Sequence, residues 1–242
     1  MAIRDIIKAG AAALLLTVGA ASSGSAAPIT FFGEDLGQGE NVRLAATPNA
    51  DAARNAFFAN LVGVGTETFE GFSAGTGAPL AVNFGAAGTA TLGGSGEVAS
   101  VPTGTNGVGR YPISGDNYWE TGAAFTITFS DPVAAFGFYG IDIGDFGGQV
   151  TLTLAGGGAQ VVNVPNTVNG RGGGVLYFGI IETLTFTSIT FGNTAGGVDF
   201  FGFDDFSIGS LEQVKIPVPA ALGLFGIALA GLGMAMRRRA AA

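Results

Sequence analysis

Phe125-Thr126-Ile127-Thr128-Phe129 alternates bulky apolar and hydroxyl side chains at every step. Successive side chains of a strand point to opposite faces, so this stretch reads as a strand with one face in a core and one in water. Leu184-Thr185-Phe186-Thr187-Ser188-Ile189 repeats the pattern. Outward from these two stretches, short apolar alternations are broken every ten residues or so by Gly, Pro, Asn or Asp, which are strand and turn signals. Strands are predicted at Glu67–Phe72, Leu80–Phe84, Gly88–Leu92, Val108–Ile113, Ala124–Phe129, Ala134–Ile141, Gln149–Leu154, Gln160–Val164, Val175–Ile181, Leu184–Phe191 and Phe200–Ile208. So many short strands imply an all-β fold, an antiparallel jelly-roll-like β-sandwich.

Composition agrees. The chain has 43 Gly and 20 Phe in 242 residues, which suits tight turns and pleated, half-buried surfaces. One helix is predicted before the first strand, over Asp51–Leu61, with Asp51 as N-cap and Ala53, Phe57, Phe58 and Leu61 on one face. The glycine triplets Gly156-Gly157-Gly158 and Gly172-Gly173-Gly174 lack the strand and helix of a phosphate loop around them and read as turns.

Both ends read as targeting segments. Arg4 and Lys8 precede an apolar run from Ala9 to Ala21, then small residues through Ala27, the pattern of a signal peptide cut after Ala26. At the other end Pro217-Val218-Pro219-Ala220 opens an apolar stretch reaching Met236 and closed by Arg237-Arg238-Arg239. Seventeen residues from Ala220 to Met236 make a helix of about 25 Å, long enough to span a bilayer if its flanks snorkel, with the arginines held on the cytoplasmic side. The expected organisation is therefore a signal peptide (1–26), an irregular segment (27–49), a β-sandwich domain (50–210), a linker with the Pro-Val-Pro motif (211–219), and a hydrophobic sorting helix with its arginine tail (220–242).

The tail resembles the PEP-CTERM family of sorting signals on exported proteins of Gram-negative bacteria, in the variant with Val-Pro-x-Pro-Ala. The matching residues are Pro217, Val218, Pro219, Ala220, the glycine-bearing helix and Arg237, Arg238 and Arg239, with Val218 where the commonest form has Glu. Thr68-Phe69-Glu70-Gly71-Phe72, Phe136 to Gly148 and Phe201-Gly202-Phe203-Asp204-Asp205-Phe206 are similar to segments that recur in exported proteins with this tail. The resemblance implies export and signal peptidase cleavage, transient residence in the inner membrane, recognition by an exosortase, and release or attachment at the cell surface alongside exopolysaccharide. It implies nothing about the chemistry of the β domain.

Charge and missing residue types bound that chemistry. The whole chain carries −8, but half of its 10 basic residues lie in the two ends, and the central region carries a net −12. Such a domain repels phosphate backbones, which excludes nucleic acid and leaves cations or neutral polymers as partners. There is no Cys and no His. Thiolate and imidazole metal sites, and most acid–base and nucleophile pairings, go with them.

Carboxylates remain. Glu67 with Glu70, Asp116 with Asn117, Asp142 with Asp145, and Asp204 with Asp205 form four acidic clusters. If the first and last strands are neighbours, Glu70 meets Asp204 and Asp205, and crowded like charges favour a cation such as calcium, which takes six to eight oxygens. Asp142 and Asp145, with Gly147 after them, form a second calcium candidate or an Asx-type turn. Tyr118 and Trp119 beside Asp116 and Asn117 suggest a glycan-binding edge, if the rings are exposed, with Arg110 and Tyr111 close in sequence. Paired carboxylates about 5–10 Å apart could also cleave glycosides. The reading is a non-enzymatic surface or matrix protein, with a calcium-stabilised carbohydrate-binding module as alternative and a glycan-cleaving enzyme as a further one.

Overall fold

A computed structural model describes residues 28–215 apart from 123, 146, 157–158 and 195–198. The expected signal peptide, the Pro217–Ala220 motif, the sorting helix and Arg237–Arg239 lie outside the described residues. Among those described, no helix is long and apolar enough to cross a membrane.

The described chain is antiparallel β-structure with one α-helix. The strands are β1 (Ile29–Asp35), β2 (Thr66–Glu67), β3 (Leu80–Asn83), β4 (Thr89–Gly94), β5 (Glu97–Ser100), β6 (Asn117–Thr121), β7 (Phe125–Ile141), β8 (Val150–Ala155), β9 (Ala159–Asn163), β10 (Val175–Asn193) and β11 (Phe201–Gly209). The helix α1 spans Pro48–Phe58.

Two long strands organise everything else. The first part of β7 and the last part of β10 pair with each other through Phe125↔Phe191 and Thr128↔Ser188, and are flanked by β4 and β3 on one side and β8 and β9 on the other. The remaining parts pair through Ala135↔Ile181 to Ile141↔Val175, flanked by β1 on one side and by β11, β6 and β5 on the other. The pairing slips at Val133 and Phe186, where both strands pass from one layer to the other.

The two layers face each other over one phenylalanine-rich core. Phe191 of the first layer lies 5.2 Å from Phe203 and 5.3 Å from Phe138 of the second, and stacks on Phe125 at 4.3 Å. On the outer side of the first layer the threonines meet water, and Thr126 and Thr190 share a 2.9 Å hydrogen bond across the β7–β10 pair. Along Phe125–Phe129 the alternation maps that layer's two faces, whereas in Leu184–Ile189 Leu184 is exposed and a register shift after Phe186 brings Ile189 to the core as well.

The centre of the second layer is covered on both faces, so β11 is buried along its whole length, while the flanking β1 and β5 stay partly exposed. Ala50, Ala53 and Phe57 of α1 pack with Tyr139, Val175, Tyr177 and Ile181 in a second apolar cluster behind it. Helix and sheet approach closely because the strands carry glycine there: a Cβ at Gly179 would stand 2.6 Å from the Phe57 ring, and one at Gly137 2.9 Å from it.

Several expectations need correcting. The helix starts at Pro48 with Thr47 as N-cap, and Asp51 instead accepts a 2.7 Å hydrogen bond from the Tyr139 hydroxyl. The segment 27–49 contains β1, whose partner β10 is remote in sequence and leaves no local signal. Val108–Ile113 forms no strand: Pro112 has no N–H to give a ladder, and the Asn106 carboxamide accepts from the amides of Val108 and Arg110 to build a loop. Glu67–Phe72 contributes only β2, since Phe69 turns at φ 60°. Ala124–Phe129 with Ala134–Ile141, and Val175–Ile181 with Leu184–Phe191, are two continuous strands rather than four.

Candidate metal centre and adjoining cleft

Three of the sequence-predicted carboxylates serve the fold. β11 carries a two-against-one bulge between Asp204 and Ser207, with Asp205 at φ 50°. The fully buried Asp204 accepts from the backbone amides of Ile113 (2.7 Å) and Ser114 (3.0 Å), and Asp205 accepts from the Ser114 hydroxyl at 2.6 Å. Burial pushes the Asp204 carboxyl well above its ordinary range, with Asp205 adding to the shift and the amide donors opposing it. Glu70 accepts from the amides of Asp116 (2.9 Å) and Asn117 (2.6 Å). Glu70, Asp204 and Asp205 therefore do converge on one loop, but Glu70 and Asp204 clamp its backbone and Asp205 its Ser114 hydroxyl. Among the described residues they do not form a set of ligand atoms close enough to share an ion.

The aromatic edge is not an edge. Tyr118 and Trp119 are both wholly buried. Trp119 packs between the layers 6.2 Å from Phe69, while Tyr118 turns to the opposite face and donates to Glu120. Neither ring offers a face to a sugar. Asp116 is exposed, and the Asn117 carboxamide donates to the carbonyls of Phe69 and Phe72.

The acidic group that does assemble is Glu40 with Asp142 and Asp145, one oxygen of each lying within 4.8 Å of the others. Asp142 follows directly on β7 at φ 65°, its Oδ1 accepting from the Gly173 amide at 2.7 Å. Glu40 comes from the loop after β1, which is tied in by Gly109 donating to the Glu40 carbonyl at 2.9 Å. Glycine backbone lies against both carboxylates: a Cβ at Gly109 would be 2.4 Å from Asp142 Oδ1, and one at Gly172 2.0 Å from Glu40 Oε1. Arg110 reaches in, with Nη1 4.0 Å from Asp142, but its Nε is on Glu120 at 2.7 Å.

Asp199, just before β11, belongs to the same end of the domain. It is 4% exposed, and neither carboxylate oxygen has a hydrogen-bond partner among the described residues. Burial raises its pKa to about 7, with the charge on Asp145 next; the Phe200 amide opposes this without meeting hydrogen-bond geometry. Asp142 is likewise pushed up to about 7 by burial, against the Gly173 amide and with Asp145 and Glu40 adding to the rise.

The sign of the pH effect follows. The cation-free folded domain holds these two protons more tightly than an unfolded chain whose aspartates titrate near 3.8. That stabilisation is complete below about pH 4 and lost as pH rises through about 7. In chelator, the Tm is expected to fall steadily between pH 5 and pH 8, and a flat or rising profile would contradict the assignment.

Asp199 also lines a cavity of about 200 Å³ at this end of the sandwich, between the layers. Phe125, Phe191 and Phe203 line it too, with polar Thr121 and Asn193. Sequence reasoning found Asp142 and Asp145 from their spacing. Glu40 and Asp199 it missed, because loops distant in the chain bring them there.

Fold and site together define an antiparallel β-domain with an acidic end. No protein-family model matches the chain, and no curated protein matches it. Among solved structures it is similar to the K2 cleaved adhesin domain of Lys-gingipain, at 11% identity over 60% of this chain and 97% of that one, TM-score 0.38. It is also similar to TmCBM61 in complex with β-1,4-galactotriose, at 16% identity over 60% and 94% of the two chains, TM-score 0.26. A third is a Stig cyclase, Fisc from Fischerella sp. TAU, at 10% identity over 61% and 85%, TM-score 0.28.

Proposed function

We propose that this chain is an exported, exosortase-sorted surface or extracellular-matrix protein whose non-enzymatic jelly-roll-like domain associates with exopolysaccharide. The observation that carries the polysaccharide part is the cavity at the acidic end of the sandwich, where the exposed Asn193, with Thr121 and Asp199, offers polar groups suited to sugar hydroxyls over a floor of buried phenylalanine rings. Its volume of about 200 Å³ matches one sugar unit rather than a long segment. The sorting part is supported by Pro217-Val218-Pro219-Ala220, the apolar run and the closing arginines. A chain without His or Cys also lacks the commonest catalytic pairings.

Two measurements test it. Mass spectrometry of the mature protein from its native cell should give an N-terminus at Ala27 and a C-terminus near Ala220. Full-length protein, soluble in the cytosol, would refute sorting. A glycan array should show binding without release of new reducing ends; release of such ends would establish a glycan-cleaving enzyme instead, and binding to no glycan would remove the polysaccharide reading.

A second reading, a calcium-stabilised carbohydrate-binding module, is favoured by the convergence of Glu40, Asp142 and Asp145. It adds a cation to the same domain.

A further inference from the structure

We propose that the cavity lined by Asp199 takes a protonated amine carried on a sugar ring, an amino-sugar unit of the polysaccharide, with the Asp199 carboxylate as its counter-ion. The inference rests on the polysaccharide reading and narrows it to a substrate class.

The first observation is Asp199 itself. It lines the cavity of about 200 Å³, is 4% exposed, and neither carboxylate oxygen has a hydrogen-bond partner among the described residues. No described Lys or Arg forms an ion pair with it, since those of Arg110 go to Glu120 at 2.7 Å and to Asp142 at 4.0 Å. The buried carboxylate within β11 is a contrast: Asp204 accepts from the amides of Ile113 and Ser114 and serves the fold. A buried carboxylate without donors has to hold a proton or meet a positive charge, and a cavity at its side leaves room for a ligand to bring that charge.

The second observation lies next to it. Thr121 and Gly122 also line a second groove, of about 230 Å³, walled by Glu97, Glu120 and Phe200. Glu97 of β5 stands directly opposite Glu120 of β6 in the strand pair, an arrangement of like charges that costs stability. Arg110 compensates Glu120 through its Nε, whereas Glu97 is exposed and enters no ion pair among the described residues. Two adjoining pockets therefore each present a carboxylate that no described basic side chain pairs with. A chain with an amine on successive units matches both.

The surroundings select what carries the charge. The cavity has the size of one sugar unit, and its floor of buried Phe125, Phe191 and Phe203 rings lowers the local dielectric and so strengthens a charge pair formed over it. Phe200, 44% exposed, borders the second groove, and the Arg110 guanidinium already lies 5.3 Å from its ring centre, so a cation is accommodated against this ring. An ammonium brings three N–H donors and a full charge to Asp199. A hydroxyl or an N-acetyl group in the same place brings a donor and leaves the charge unanswered. The net −12 of the central region also draws a polycation from a distance.

The test uses the full-length chain purified in detergent and titrated by calorimetry with three probes: a β-1,4-linked glucosamine tetramer, its fully N-acetylated counterpart, and the glucose tetramer of the same linkage. About pH 6 keeps the amines protonated, and about 0.15 M salt screens attraction from distant charges. The glucosamine tetramer is expected to bind about tenfold or more tightly than the other two. Asp199→Asn should remove most of that preference and leave the glucose tetramer unchanged, and Glu97→Gln, at an exposed position, should weaken glucosamine binding severalfold without a risk to folding. Glu212→Gln, an exposed acid beyond the end of β11, should bind as the native chain does. Equal affinity of the native chain for all three tetramers would overturn the amine and leave the polysaccharide reading standing, whereas no binding to any glycan on an array would remove that reading and this inference together. Undiminished glucosamine binding in a folded Asp199→Asn/Glu97→Gln protein would also overturn it, and so would equal affinity for a tetralysine peptide, which would leave a cation site without a sugar.

Discussion

Replacing Phe191 by alanine is expected to cost the domain about 3–5 kcal/mol, measured by denaturant unfolding. Phe191 is 3% exposed and sits where the layers meet. Its ring contacts Phe125 within its own layer, and Phe136, Phe138, Phe203 and Phe206 across the gap. Truncation removes the transfer free energy of a full aromatic ring and leaves a void bordered by other rings, which cannot collapse into it without leaving their own partners. Edge-to-face and stacked pairs contribute further, about 0.5–1.5 kcal/mol each beyond the area they bury. Val161→Ala, on the 64% exposed face of β9, should by contrast stay within about 0.5 kcal/mol of the native protein. Equal effects from the two substitutions would mean that the layers do not pack through Phe191.

The second large effect concerns the helix. Gly179→Val should destabilise by about 3 kcal/mol, although strand propensity alone predicts that valine improves β10. A Cβ at 179 would stand 2.6 Å from Phe57 Cδ2, 2.9 Å from Cγ and 3.2 Å from Cβ, so the clash is with the root of a fully buried ring and not with a movable tip. Either α1 lifts from the sheet or β10 bends. The companion variant Phe57→Ala/Gly179→Val should be less unstable than the sum of its parts, because the first change removes what the second hits. Gly71→Ala, with open space around it and ordinary φ, should be nearly silent. Strict additivity in the double variant would show that Phe57 and Gly179 do not touch.

These two residues also mark where the sequence was legible and where it was not. Period-two alternation through Phe125–Phe129 was readable because one face of that layer meets water, and the structure bears out both faces; through Leu184–Ile189 it fails, since Leu184 is exposed and a register shift between Phe186 and Ser188 turns both Phe186 and Ile189 to the core. The central strands of the second layer have no wet face, so they carry apolar residues on both sides, and the pattern no longer says which side is which. That is why Trp119 and Tyr118 could be read as exposed rings: they are neighbours on a strand buried on both faces, one directed to the inter-layer core and the other to the covering loop. Ser130-Asp131-Pro132 read as a break between strands and is instead a bend within β7, at the passage between layers where the regular β10 ladder is interrupted. At the acidic end, Asp142 and Asp145 share one turn and were visible together. Glu40 and Asp199 sit far away in the chain, and only the pairing of β1 and β11 with the two long strands brings them alongside.

Because β7 and β10 run unbroken through both layers, the sandwich is not a clamshell. Its halves cannot swing apart while these two spines hold to one another, so a small molecule enters or leaves by an end and not by prying open a seam. A tug on the chain beyond Lys215 is received first at the short clasp where Lys215 donates to the Asn60 carbonyl and Val62 to that of Gln213. That clasp, an antiparallel bridge between Leu61 and Val214, has to part before a pull from that end reaches β11 and the spine it pairs with.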